Sequence, residues 1–252
     1  MIQVENYFDQ IPERLKVQQK QVEKQLLEEK KIEKGCWKNV KTELLAFFHN
    51  KCAYCETSLI SPESIDHFRP KAKDKYYWLA HEWTNFLPCC KKCQDAKKDD
   101  FFAENPNLEL PLLENGGLDY EKCRADSDYL LRENALILHP VLDNPNEHLS
   151  VEILDYYKQG RLNPKTAKGE ITIQICKLNE GDLVGKRREI IRNTFKKVKK
   201  YSIVLSENGF SEENIEKEIF KLLQPQIEES LKNHQTDHLF VWKEVAFWFK
   251  IL

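Results

Sequence analysis

Two short cysteine pairs constrain the fold of this chain more than any other feature of its sequence. Each pair has the spacing Cys-x-x-Cys: the first is Cys52 and Cys55, and the second is Cys90 and Cys93. A turn that presents two thiolates is half of a tetrahedral zinc site, and a second such knuckle completes it. The sequence therefore predicts that both knuckles meet at one structural zinc ion.

The compartment decides whether cysteines bind metal or form disulfides. The N-terminus has no charged-then-apolar signal peptide, and no apolar run approaches the roughly 20 residues needed to cross a bilayer. We therefore expect a cytoplasmic protein with reduced cysteines, which favours metal binding. Of the eight cysteines, four lie outside the knuckles and are interpreted as small buried hydrophobic residues: Cys36, Cys89, Cys123 and Cys176. Cys89 could instead replace Cys90 as a ligand.

The net charge of −2 excludes a chain whose whole surface coats nucleic acid. Any electrostatic binding surface must be a local patch. A long helix is predicted from about Asp182 to Leu205, and it carries a basic stripe: Arg188, Arg192, Lys196 and Lys199. This stripe is either an ordinary solvated face or a contact surface for nucleic acid or a partner.

The segment between and after the knuckles contains side chains suited to phosphodiester hydrolysis. This reaction needs a base for the attacking water and a cation that stabilises charge on the phosphate. His67 suits the first role because imidazole titrates near neutrality, and Asp66 is a hard oxygen ligand for Mg²⁺ or Mn²⁺. Gln94 and Lys97 lie three residues apart on a predicted helix, so they can face the same site. The Asn85 amide could brace the loop that carries His67.

Three basic residues near this segment are candidates for nucleic-acid contact: Lys97, Lys98 and Arg69. For Lys97 the alternative is an ordinary solvated charge on a helix. A second polar group further along the chain could mark another site, but turn capping explains it better: His139, Asp143 and His148.

These residues resemble the HNH endonuclease family, in the variant with a four-cysteine zinc site. Asp66-His67, Asn85 and the residue after the last cysteine fall in the order of that signature. The resemblance implies a ββα-metal fold in which Asp66 binds the catalytic Mg²⁺ or Mn²⁺, His67 is the general base and Asn85 braces the loop. In that family a His or Asn after the last cysteine is the second metal ligand. Here it is Gln94, which reaches one methylene further than Asn and weakens the expected affinity or geometry.

The resemblance is closer to one branch, the HNH nuclease component of Septu-type and retron-associated anti-phage systems, the PtuB family. It is carried by IDHFRPKAK and YYWLAHEWTNFLPCCKKCQDAKKDDFF, and by HPVLDNPNEHL and TIQICKLNEGDL downstream. This resemblance implies a role in antiviral defence and a PtuA-like ATPase partner of the SMC/ABC type.

We predict an α+β fold, mainly helical, with a central ββα-metal (HNH) module stapled by zinc. Residues 1–50 form a helical arm, 51–105 the nuclease module, and 106–252 a mixed, mainly helical region for nucleic-acid or partner contact. A last helix at 238–252, rich in Trp and Phe, should dock on the core or on a partner.

The predicted function is metal-dependent cleavage of nucleic acid, with DNA favoured and RNA or tRNA as an alternative. One alternative from another class is a zinc-stabilised subunit of an ATPase complex that binds nucleic acid or protein and whose nuclease site is weak or inactive. The other is an assembly subunit whose terminal helices carry the function.

Overall fold

The fold is α+β. The computed structural model describes residues 7–32, 35–59, 64–72, 74–106, 108–155 and 157–211, with parts of 214–225. Its helices are α1 (Glu13–Glu29), α2 (Gly35–Lys38), α3 (Lys41–Phe47), α4 (Lys91–Lys97), α5 (Tyr120–Cys123), α6 (Asp128–Leu131), α7 (Pro145–His148), α8 (Ala167–Ile175) and α9 (Asp182–Glu207). Its strands are β1 (Ser64–His67), β2 (Phe86–Cys89), β3 (Leu149–Val151) and β4 (Leu162–Pro164). The predicted helix at 238–252 lies outside the described residues.

A two-stranded hairpin followed by a helix forms the centre of the molecule. β1 and β2 pair antiparallel, with Asp66 opposite Leu87 and His67 opposite Phe86. The chain then turns at Cys90, which caps α4: its sulfur accepts a hydrogen bond from the Cys93 N–H at 3.4 Å. Because successive side chains of a strand point to opposite faces, the hairpin separates the Asp66 and His67 side chains.

The N-terminal arm is fastened to this hairpin by Tyr7, which is completely buried. Its hydroxyl oxygen lies 2.6 Å from the Trp83 carbonyl oxygen and 2.7 Å from that of Phe86, so its one proton is shared between these two acceptors. The Trp83 indole N–H donates back to the Tyr7 carbonyl at 2.9 Å. Helix α3 and its two capping residues add a buried apolar face to the same core: Val40, Leu44, Leu45 and Phe48.

Aromatic residues between the strands belong to the hydrophobic core. They lie in two short 3-10 turns, Tyr77–Leu79 and Trp83–Asn85, and in the flanking positions. The buried members are Tyr76, Tyr77, Trp78, Trp83 and Phe86. Their rings are therefore used for packing rather than as an exposed platform for bases.

Downstream, β3 and β4 form a second antiparallel hairpin, and α9 lies close to the loop that joins them. Gly160 in that loop has a φ of +85°, and a Cβ atom there would lie 2.6 Å from the Val184 carbonyl oxygen of α9. Only glycine permits this approach. A buried stripe on α9 faces the core: Leu183, Arg187, Ile191 and Thr194.

Along the described parts of the chain, no helix combines the length and the apolar stretch that crossing a bilayer requires.

Candidate metal centre and active site

The four knuckle cysteines meet in one cluster, as the sequence predicts. Their Sγ atoms all lie within 4.8 Å of one another, and those of Cys55 and Cys90 are 3.8 Å apart. In a tetrahedral site with zinc–sulfur bonds of about 2.3 Å, neighbouring sulfurs are about 3.8 Å apart. The cluster therefore has the donor atoms and the size to hold zinc. Cys90 rather than Cys89 completes it, and the Cys89 thiol donates to the Cys90 carbonyl at 3.4 Å.

Helix α9 brings a buried cation close to the thiols. Arg187 is held by the carbonyl oxygens of Leu178 and Gly160. Burial lowers the pKa of Arg187 to about 10, and the charge of the nearby Cys55 thiolate opposes that shift. Four thiolates around Zn²⁺ leave a net charge of −2, so a neighbouring guanidinium is electrostatically favourable. An ion pair of 2.5 Å between Lys92 and Asp182 makes a second link from the knuckle to α9.

The Asp66 carboxylate is buried and has two partners on the same oxygen. The Tyr54 hydroxyl donates to Oδ2 at 2.6 Å, and the Lys97 ammonium lies 3.0 Å from Oδ2. Lys97 also donates to the His67 carbonyl at 3.2 Å. Burial raises the pKa of Asp66, and the charge of Lys97 works against this rise. The helix residue that contacts Asp66 is thus Lys97, while Gln94 lies one turn earlier and is half-buried.

The His67 ring lies on the other face of β1 and is only 4% exposed. Its Nε2 is 3.0 Å from the Ala80 carbonyl oxygen. A carbonyl oxygen can only accept, so this contact assigns the proton to Nε2 and leaves the lone pair on Nδ1. Nδ1 is buried and has no hydrogen-bond partner among the described residues. Burial is the main cause that keeps the pKa of His67 well below its usual value, so the imidazole is neutral.

Two aromatic rings cover the imidazole. Trp37 meets it edge to face with ring centroids 5.0 Å apart, and Phe86 does so at 5.2 Å. Phe86 belongs to the core, whereas Trp37 is half-exposed and stands on the short helix α2. The Lys71 ammonium lies 5.3 Å from the centre of the Trp37 ring. Nδ1 is buried, so a water molecule can reach it only if a neighbouring group moves.

Asn85 connects the loop after β1 to the aromatic segment. Its Oδ1 accepts from the Arg69 N–H at 2.8 Å, and its Nδ2 donates to the carbonyls of Arg69 at 3.0 Å and Leu79 at 3.2 Å. All of its amide atoms are thus used within the protein. These hydrogen bonds hold the Arg69 backbone, two residues after His67, close to the Leu79 carbonyl.

Two of the three cations expected to contact nucleic acid lie inside the protein. Arg69 forms an ion pair of 2.6 Å with Glu133 and donates to the Leu130 carbonyl at 3.2 Å. Lys97 is fully buried against Asp66. A phosphate could reach neither cation without breaking a buried ion pair, which is costly. Of the three, only Lys98 is exposed.

Asp66 is the carboxylate that would hold the predicted catalytic magnesium ion. The contacts from Tyr54 and Lys97 both use Oδ2, so Oδ1 is the oxygen that would face an ion. Mg²⁺ usually keeps several waters and takes one or two carboxylates plus substrate phosphate oxygens. Asp66 supplies one carboxylate, and the predicted second ligand, Gln94, lies one turn of α4 before Lys97. Within the described residues, no second group of three or more His, Cys, Asp or Glu side chains is placed to hold a metal.

The second polar group caps turns. Nδ1 of His139 accepts from the N–H groups of Val141 at 3.2 Å and Leu142 at 3.3 Å, and the Asp143 carboxylate accepts from the His139 N–H at 2.7 Å. His148 has a separate partner, the Thr166 hydroxyl, at 2.8 Å. These contacts agree with turn capping.

Residues that the sequence analysis missed include Tyr54, Trp37 and Glu133. Tyr54 could have been suspected from its place inside the first knuckle, where a side chain must lie close to the metal-bound turn. No spacing or motif indicates that Trp37 covers His67 or that Glu133 pairs with Arg69.

Buried Glu82 supports the turn that carries Asn85. Its Oε1 accepts from the Thr84 N–H at 3.1 Å and the Thr84 hydroxyl at 2.9 Å. The same hydroxyl oxygen accepts from the Ala125 N–H at 2.8 Å, which ties this turn to the downstream region. Burial raises the pKa of Glu82 to about 7 from an ordinary 4.5, and the hydrogen bonds from Thr84 only partly offset it.

Glu82 should make the protein less stable as pH rises. Between pH 4.5 and about 7 the folded protein holds the Glu82 proton more tightly than the unfolded chain does. The free energy of unfolding should therefore fall through this window, by about 3 kcal/mol for this group. Glu82→Gln keeps the acceptor oxygen and removes the titration. Denaturant unfolding of both proteins at several pH values measures the difference, and parallel curves would contradict the prediction.

Three curated proteins are similar to this chain. Septu protein PtuB of Bacillus mycoides (strain KBAB4) is 30% identical over 174 residues, which are 62% of this chain and 52% of that protein. Septu protein PtuA of the same organism is 30% identical over 156 residues, 57% of this chain and 20% of that protein. Septu protein PtuB of Bacillus thuringiensis is 28% identical over 165 residues, 64% and 49% of the two chains.

The chain spans about half the length of the two PtuB relatives and about a fifth of the PtuA relative. No family model matches it, and no solved structure matches it significantly. The comparisons therefore identify a chain that is similar, over more than half of its own length, to proteins of Septu systems.

Proposed function

We propose that this protein is a metal-dependent HNH endonuclease that acts in a Septu-type anti-phage system. The observation that carries the proposal is the buried His67 imidazole, whose Nε2 contacts the Ala80 carbonyl oxygen and whose Nδ1 has no hydrogen-bond partner among the described residues. Asp66 precedes it in the chain and lies on the other face of β1. Further support comes from the element order β1, β2, α4, with Asp66 and His67 on β1, and from the four-cysteine cluster.

His67 is the general base of the proposed reaction. Nδ1 takes the proton of the water that attacks phosphorus, and the ring becomes an imidazolium. The Ala80 carbonyl accepts from Nε2–H, so it holds the ring in the correct tautomer and stabilises the new charge. Asp66 would hold Mg²⁺ or Mn²⁺ with Gln94 as a weaker second ligand. When bound, this ion supplies charge stabilisation at the phosphate and the leaving oxygen.

The anti-phage role rests on the Septu relatives. Proteins named PtuA and PtuB both match, so their names alone do not assign this chain to one component. The two knuckles with Asp66 and His67 favour the nuclease component. A PtuA-like ATPase of the SMC/ABC type is then the partner, as the family resemblance implies.

A second candidate function is a zinc-stabilised subunit that binds nucleic acid or protein without cleaving it. Two observations favour it: Gln94 replaces the expected ligand, and the Asp66 carboxylate is already paired with Lys97.

One cleavage experiment separates the two functions. The purified protein is incubated with plasmid DNA or RNA in Mg²⁺, Mn²⁺ or chelator, with and without the partner ATPase. The nuclease proposal expects cleavage that the chelator abolishes, and the DNA and RNA arms identify the substrate. An inert wild type together with an active Gln94→Asn variant would favour the second function.

The substrate is expected to contact the outer face of α9. This helix has eight Lys or Arg and three Asp or Glu residues, a net charge of +5 in a chain of net charge −2. Lys196, Lys199 and Lys200 are exposed, and none of them makes an ion pair with a described residue. Such a face can take the phosphate contacts that the buried Arg69 and Lys97 cannot.

Salt dependence of binding tests this surface. Changing Lys196, Lys199 and Lys200 to glutamine should lower the slope of log affinity against log salt by about 2.7, since each phosphate contact on duplex DNA contributes about 0.9. The matched control changes three other exposed lysines, Lys20, Lys24 and Lys38, and should leave the slope unchanged. Equal slopes for both triple variants would exclude α9 from the interface.

A further inference from the structure

Two side-chain partners of the Asp66 carboxylate are carried by the cysteine knuckles. Tyr54 lies inside the first knuckle, between Cys52 and Cys55, and its hydroxyl donates to Asp66 Oδ2 at 2.6 Å. Lys97 lies on α4, which begins at the second knuckle, and its ammonium is 3.0 Å from the same oxygen. One contact therefore comes from each half of the metal cluster.

Because these contacts are buried, a displacement of either knuckle is passed on to the Asp66 carboxylate. Tyr54 is 2% exposed, Lys97 0% and Asp66 5%. Water cannot replace either partner, and hydrogen bonds to a charged group are stronger than neutral ones. If a knuckle moves, the carboxylate must follow it or lose a partner.

The knuckles are also tied to the strands by the main chain. The Ala53 N–H in the first knuckle donates to the Pro88 carbonyl of β2 at 2.9 Å. Lys97 donates to the His67 carbonyl at 3.2 Å, so α4 holds β1 at the residue next to Asp66. Main-chain and side-chain contacts thus link both knuckles to the strands that carry and flank Asp66.

We infer that the zinc cluster and the Asp66 carboxylate are energetically coupled, and that Tyr54 is a positioning residue that aims this carboxylate. The consequence for catalysis rests on the proposed function, but the coupling itself does not. Coupling between two sites is reciprocal. A change at Asp66, which is not a ligand of the cluster, must therefore change the affinity for zinc.

Zinc affinity is measured by competition with a chromophoric chelator for the wild type, Tyr54→Phe, Asp66→Asn and the double variant. Each single change should weaken zinc binding about tenfold, as the loss of a supporting contact around a metal site does. In the Asp66→Asn background, Tyr54→Phe should have a smaller effect than in the wild type, because the negative charge that strengthens the Tyr54 hydrogen bond is already gone.

Tyr120→Phe is the matched control. Its hydroxyl also donates to a carboxylate, that of Glu23 at 3.0 Å, but joins α5 to α1. Its zinc affinity should equal that of the wild type. The inference is overturned if Tyr54→Phe binds zinc as tightly as Tyr120→Phe does, or if the effects of Tyr54→Phe and Asp66→Asn add in full.

The same variants are then assayed for cleavage. Tyr54→Phe should lower kcat about tenfold and leave KM unchanged, since it misdirects the carboxylate and touches no substrate. Tyr120→Phe should leave both constants unchanged. Coupling in the zinc assay with an inert wild type would refute the nuclease proposal and support the coupling.

Discussion

Replacing His67 by alanine is expected to lower the cleavage rate by about two to four orders of magnitude, the usual contribution of a positioned general base. The substitution removes the Nδ1 lone pair and leaves Asp66 and the four cysteines unchanged. Zinc content should therefore stay at the wild-type level. Initial cleavage rates and metal analysis of the same preparations measure the two effects.

Added imidazole gives a sharper version of this experiment. The His67 ring is enclosed by Trp37 and Phe86, so its removal leaves a space that a free imidazole fits. Partial recovery of the rate is expected with imidazole and not with a non-basic compound of the same size. His148→Ala, which removes a histidine bonded only to Thr166 among the described contacts, is the control. Unchanged cleavage by His67→Ala would end the nuclease proposal.

Loss of one knuckle thiol is expected to release zinc and unfold the centre of the molecule. Structural zinc sites supply about 10–16 kcal/mol in zinc-finger peptides, so one ligand of four is worth about 3 kcal/mol, or about a hundredfold in affinity. Cys90→Ala should show this loss. Zinc stoichiometry and thermal unfolding with and without chelator measure it.

The neighbouring cysteine provides a matched control for that substitution. Cys89 is also free and is completely buried, but its sulfur is outside the cluster. Cys89→Ala should keep one zinc ion per chain and lose only a small amount of packing energy. The opposite result, zinc lost in Cys89→Ala and kept in Cys90→Ala, would mean that the adjacent cysteine is the ligand.

The cysteine cluster and the strand and helix beside it were predictable from the sequence, because the spacing of residues along the chain determines them. Two thiols three residues apart at a turn must lie close together, and the four-cysteine cluster follows. The strand at Ser64–His67 and the helix after the second knuckle are set by local pattern in the same way. The segment 170–177, which fits strand or helix, is mostly helical in α8 because Thr166 caps it: its hydroxyl accepts from the Gly169 N–H.

Long-range pairing was not predictable, because no local signal reports it. Arg69 and Lys97 resemble free cations in the sequence, yet each is neutralised by a carboxylate whose position depends on the whole fold: Glu133 is 64 residues away from Arg69. The cover over His67 depends on Trp37, which precedes it by 30 residues. The roles assigned to Asp66 and His67 in catalysis remain predictions.

The Arg69–Glu133 ion pair affects how the protein can be dissected. Arg69 lies within the predicted 51–105 module, whereas Glu133 lies well outside it and also accepts from the Tyr76 hydroxyl. A fragment that ended at residue 105 would lack Glu133. The Arg69 guanidinium and the Tyr76 hydroxyl would then lose the carboxylate that both of them contact. Shorter versions of the protein should therefore retain the chain at least through Glu133.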